Sequence, residues 1–175
     1  MSTPKLSGLA IIAGGTSLII VNIVFAPMLA QDISYTELMA SSAYLWRLAL
    51  ATLSVMFLMV GCSGLHAHQK SQSGRFGSVD FSLAFLGSAL LFAHEWGQLF
   101  YIHNVAIIAP AALQAIQDAE GLNLFDIEGL IAFLTFTLGW IAFAAAMLRA
   151  GVFSRLGPIL VIVGFFATPL ITAVT

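Results

Sequence analysis

Five runs of about 20 apolar residues recur along the chain, each long enough to cross the roughly 30 Å hydrocarbon core of a bilayer as a helix rising about 1.5 Å per residue. They extend from Leu6 to Leu29, Ser42 to Gly61, Phe81 to Ala106, Ile127 to Leu148 and Leu156 to Val174. The expected fold is all-α: one domain over residues 1–175, an integral membrane bundle of five transmembrane helices. The first run, opening on Lys5 and closing on small residues, has the outline of a signal peptide. Its apolar stretch is too long for a signal core, so it is expected to stay as the first helix.

Charge is scarce enough to support this. Apolar residues make up 60% of the chain and charged residues 8%, whereas roughly a quarter of the residues in soluble domains are charged. Mean hydropathy is +1.01. Eight acids and six Lys or Arg, without a basic cluster, leave no electrostatic footprint for nucleic acid. Cys62 is the only cysteine, so an internal disulfide and a thiolate metal cage are both excluded. The two lysines, Lys5 and Lys70, lie at the N-terminus and in a polar stretch, which leaves no buried amine for a retinal-type Schiff base.

Orientation follows from the basic residues, because positively charged short loops stay on the cytoplasmic side. Lys5, Lys70, Arg75, Arg149 and Arg155 fall at the N-terminus and in the second and fourth connections. The other connections carry Asp32, Glu37, Asp118, Glu120, Asp126 and Glu128. The N-terminus is therefore expected inside and the C-terminus outside, with Tyr35, Tyr44, Trp46 and Tyr101 in the outer aromatic belt. The second connection, "CSGLHAHQKSQSGRFGS", reads as a polar loop. In "PAALQAIQDAEG", Pro110 opens and Gly121 closes a short interfacial helix near 110–120. Small residues four apart, Ala89, Ala93 and Gly97 in the third run and Ala142, Ala146 and Ala150 in the fourth, suit close helix contact.

The third run contains "LLFAHEWGQLFYIHN", which places ionisable groups where apolar ones are expected. With His94 at 0° and about 100° per residue, Tyr101 projects near −20°, Gln98 near 40°, Glu95 near 100° and Ser88 near 120°. These residues form one polar sector. His103 projects near 180° and cannot share a metal or haem with His94. "HEWGQ" falls one residue short of the zinc signature H-E-x-x-H, since Gln98 stands where the second histidine belongs. No catalytic residue, metal ligand or cofactor is assigned.

A charge at the membrane centre costs about 2.5–3.5 kcal/mol on insertion scales, so Glu95 calls for a partner. Counted along their helices, Glu95 lies roughly 9 Å and Arg47 about 7 to 8 Å below the outer boundary. Arg47 is also the one basic residue that the charge rule leaves unexplained. An Arg47–Glu95 ion pair between the second and third helices is expected, with Gln98 or His94 taking the spare hydrogen bonds. Asn22, Thr135 and Thr172 reach similar depth and would join an outward-opening polar cavity with Tyr101. Two roles remain open for the pair: a bridge that sets helix register, or part of a ligand pocket.

"LGWIAFAAAMLRAGVFSRLGPILVIVG", residues 138–164, resembles a pattern in broad families of small bacterial membrane proteins of unassigned function. In these a helix ends in a basic turn and the next begins at once. The resemblance covers about a third of the chain and implies a bacterial polytopic protein of the cytoplasmic (inner) membrane, without catalytic residues to carry over. The leading expectation is a non-enzymatic structural or accessory subunit whose partners are membrane lipid and other membrane subunits. The alternative is a small transporter or ligand-binding bundle using Arg47, His94, Glu95, Gln98, Tyr101 and Asn22. An intramembrane enzyme using His94 and Glu95 as acid and base would lack a nucleophile or metal set.

Overall fold

The computed structural model describes residues 3–25, 33–119, 121 and 123–172, and of residues 3, 4 and 167–172 the backbone alone. The described residues are helical throughout, joined by short turns. Helix α1 spans Thr3–Ile20 and runs on through a π turn, Val21–Phe25. The short α2 is Tyr35–Ala40, and α3 is Ser42–Gly97. A second π turn, Gln98–Ile102, leads into α4, His103–Ile108. Helix α5 is Pro110–Asp118, α6 is Leu124–Ala150 and α7 is Leu156–Thr172. Three stretches of the described chain are long and apolar enough to cross a membrane, namely Lys5–Phe25, Ser42–Ile108 and Leu124–Ala150. Leu156–Phe166 is a shorter apolar helix.

The second and third apolar runs thus belong to one helical stretch. The polar connection expected as a loop at residues 62–78 is helical except at Gly74, where φ is 60° and ψ −155°. That region is closed to side chains bearing a Cβ, so a glycine there lets two helices meet across one residue. The arms before and after it, residues 42–73 and 75–97, lie antiparallel. Tyr44 bonds to Gln98, Leu58 and Cys62 pack with Ala84, and His66 stacks on Phe81 at 4.2 Å between ring centroids. The first arm is about 48 Å long at 1.5 Å per residue, well over the roughly 30 Å of a hydrocarbon core. Its last turns are polar, and helix satisfies their backbone groups as well as a loop in water would.

Helix α1 runs antiparallel to the first arm: Gly14 sits against the Ser54 carbonyl and Gly61 against Ile11. Helix α6 runs antiparallel to the second arm, with Gly139 against the Leu83 carbonyl and Gly87 against the Phe136 backbone. At both sites an added Cβ would collide with main chain, so small residues set the separation. The expected seam of Ala89, Ala93 and Gly97 is displaced. Ala84, Gly87 and Ser88 are buried, whereas Ala93 is exposed and Gly97 has open space beside it. In the fourth run Ala146 is buried as expected.

Leu58, Cys62, Ala84, Phe136, Trp140 and Phe143 form the main core where the two arms meet α6. A second core, Met39, Tyr44, Leu48, Ala106 and Leu113, lies under α2, α4 and α5. Three helix starts have side-chain caps. Ser34 and Glu37 make a reciprocal capping box on α2, Ser41 caps α3 and Asn123 caps α6. Pro110 opens α5 as expected, and α6 stops at Gly151, whose φ of 64° is left-handed. Antiparallel stacking sorts charge by end. Lys5, Lys70, Arg75, Arg149 and Arg155 lie at one end with Asp80; Glu37, Asp118, Asp126 and Glu128 lie at the other.

Candidate polar site at the acidic end

The second arm of α3 brings its polar residues to the acidic end and distributes them between two neighbours. His94 faces α6. Its Nδ1 lies 2.7 Å from Glu128 Oε2, and its ring stacks on Phe125 at 4.7 Å. With the carboxylate ionised, Nδ1–H donates to it. Gly129 makes the room, because a Cβ there would come within 2.6 Å of His94 Cε1. The His94 side chain is 15% exposed and that of Glu128 42%, so the pair sits at the rim of the packed region.

Gln98 faces the first arm and accepts a hydrogen bond of 2.8 Å from the buried Tyr44 hydroxyl. About three turns deeper, Ser88 accepts from the Trp140 indole at 3.0 Å and donates to the Ala84 carbonyl. The Tyr44–Gln98 and Trp140–Ser88 bonds each join two different helical segments. Buried polar groups in such places bond to protein because no water competes for them, and an unmet one costs about 1–3 kcal/mol.

Arg47 and Glu95 depart from the expected ion pair. The Arg47 Cζ lies 5.3 Å from the centre of the Tyr44 ring, a cation–π arrangement. Glu95 Oε2 is enclosed and has no hydrogen-bond partner. Among the described residues, the ion pairs are His94–Glu128 and Arg149–Asp80. Arg47 is close enough for its charge to act on Glu95, yet the two form no ion pair.

Other members of the expected sector lie elsewhere. Tyr101 is 71% exposed. Its projection beside His94 assumed 3.6 residues per turn, and the π turn at Gln98–Ile102 holds more, which carries Tyr101 outward. Asn22 is exposed and donates to the Leu18 carbonyl of its own helix. The side chain of Thr172 lies outside the described residues. His103 does point away from His94, and its Nδ1 donates to the Met39 carbonyl at 2.6 Å, tying α4 to α2. Tyr44, expected in the outer belt, is buried, while Trp46 is 67% exposed.

Glu128 was hidden in the sequence among the acids of the outer connection. One signal was available: "DIEGL" places an acid beside a glycine at the start of an apolar run, where a neighbouring side chain can enter. Chemically, the two centres can bind and hold protons or hydrogen-bonding groups. Among the described residues, no three His, Cys, Asp or Glu side chains converge as a metal set. The class defined here is a helical bundle with membrane-length helices and two small polar centres near one end. Comparisons with models of protein families, with curated proteins and with solved structures find no match.

Proposed function

We propose that the chain is a five-crossing protein of the bacterial cytoplasmic membrane, N-terminus inside and C-terminus outside, acting as a non-enzymatic structural or accessory subunit. The fold-back at Gly74 divides Ser42–Ile108 into two arms of crossing length, and α7 supplies a short fifth crossing. The basic end then faces the cytoplasm. The observation that carries the role is the use made of polar side chains within the helices. Tyr44–Gln98, Ser88–Trp140 and His94–Glu128 each fasten one helical segment to another. Polar groups employed in this way specify register and leave the outer surface apolar for lipid or a partner subunit.

The enclosed, partnerless Glu95 Oε2 favours a second reading, a small transporter or ligand-binding bundle centred on Arg47, Glu95, Gln98 and His94. Glu95→Gln separates the two. In a structural subunit, the purified variant matches the parent in melting temperature to within a few degrees and co-purifies with the same protein partners. In a ligand-binding bundle, mass spectrometry of the purified parent shows a small molecule that the variant loses.

A further inference from the structure

The Tyr44–Gln98 hydrogen bond fixes how the two arms of the hairpin pair. Arg47 stands three residues further along the first arm and Glu95 three residues back along the second, so antiparallel pairing sets them opposite each other. Leu58 and Ala84, packed in the main core, keep the same register. A cation and an ionised acid so placed should join, because a charge-assisted hydrogen bond is stronger than a neutral one and packed helices admit little competing water. They do not join. Arg47 rests with its Cζ 5.3 Å from the centre of the Tyr44 ring, and Glu95 belongs to neither ion pair among the described residues.

This is the arrangement a neutral acid leaves. An ionised Glu95 would hold a charge with one oxygen, Oε2, shut away from every donor. The Tyr44 hydroxyl is committed to Gln98, and His94 Nδ1 to Glu128 of α6. Tyr35 of α2 lies beyond Tyr44, so the remaining charged neighbour is Arg47. With a proton on the carboxyl no charge is stranded, and the guanidinium gains more from the face of the tyrosine than from an uncharged acid. A proton also requires no cavity. The second carboxyl oxygen, Oε1, is not enclosed as Oε2 is, which gives the proton its way in and out.

We infer that Glu95 is a proton-binding site between the two arms, and that its proton decides where Arg47 rests. While the proton is bound to Oε1, Arg47 lies over Tyr44. When that O–H bond breaks, the proton passes to water at the acidic end and the bonding pair stays on the carboxylate. Arg47 then leaves the ring and pairs with Glu95. The inference goes beyond the role proposed above and stands with either of its readings, since the chain's own arms provide the enclosure.

Infrared spectroscopy of the full chain in phosphatidylcholine vesicles tests this, because a protonated carboxyl absorbs apart from carboxylates. At neutral pH, where ordinary acids are ionised, the parent should show a protonated carboxyl that Glu95→Gln removes. Glutamate labelled with carbon-13 in its side-chain carboxyl makes the assignment in the parent itself, should that variant fail to fold: the bands of the four glutamates move and those of the four aspartates stay. Raising the pH should bleach the band and, at the same pH, change the near-ultraviolet absorption of Tyr44 as Arg47 departs. In Arg47→Met the band should survive to a pH higher by about one unit or more, because the cation favours the ionised form. Absence of a protonated glutamate at neutral pH overturns the proposal. So does an Arg47→Met titration that coincides with the parent's. A chain that stays out of the vesicles defeats the membrane reading instead, and the same spectra in detergent still decide the proton site.

Discussion

His94 and Glu95 adjoin in sequence yet serve different interfaces, because about 100° of helix separates neighbouring side chains. His94 closes on Glu128 across α6, and Glu95 turns towards the first arm without a partner. A double-mutant cycle of His94→Ala with Glu128→Ala measures the pair. Each single change should cost about 1–3 kcal/mol, with a coupling of about 1 kcal/mol, discounted for the exposure of Glu128. Zero coupling in detergent melts would remove the pair as a fastener. At Ser34, Glu37 accepts from the backbone N–H at 2.9 Å and from the hydroxyl at 2.8 Å. Those bonds favour the ionised form and hold the Glu37 carboxyl below its ordinary value. The folded value being the lower one, the cap's contribution is present above the ordinary carboxyl range and is lost as pH falls through the depressed value. Amide exchange at Ser34 should therefore quicken with acid beyond its intrinsic pH trend, and should lose that excess in Glu37→Gln.

Gly74 is where the elements of this fold are decided. A φ of 60° with ψ −155° is closed to alanine, so Gly74→Ala should destabilise the hairpin by about 1–3 kcal/mol. Gly74→Asn should cost nearly as much, since asparagine tolerates the left-handed helical region and not this one. Thermal melts of the two variants check this; a neutral Gly74→Ala would mean that the fold-back is not held at that residue. Helix existence was legible from the apolar runs, and the start of α5 from Pro110. The helical course of residues 62–78 was not legible. Gly, Ser and His there resemble a solvated loop, and what makes them helical is tertiary packing, with Phe81 of the facing arm against His66 and Phe153 of the turn after α6 against His68. The register of the second arm was equally hidden. Contact with α6 through Gly87 and Gly139 selected a face one position away from the alanine pattern.

At the scale of the molecule, charge is sorted by end, and that sorting predicts accessibility. In a Cys62→Ser background, a single cysteine at Gln72 should label with a membrane-impermeant maleimide only from the cytoplasmic side, and one at Asp118 only from the opposite side. The reverse pattern would invert the proposed orientation, and labelling of both from one side would overturn the crossing count. The sequence by itself determined the helical class, because runs this apolar must satisfy their backbone internally, and it sorted the two charged ends, because so few charges are present to place. The depth count also brought Arg47 and Glu95 into one neighbourhood. Only tertiary structure decided who bonds with whom. Pairing depends on the azimuth at which helices meet, and here that azimuth is set by glycines at the crossings and by a π turn that shifts register after Gly97. A helical wheel drawn for one straight helix carries none of that information, which is why Glu128 was missed and Tyr101 was placed on the wrong side.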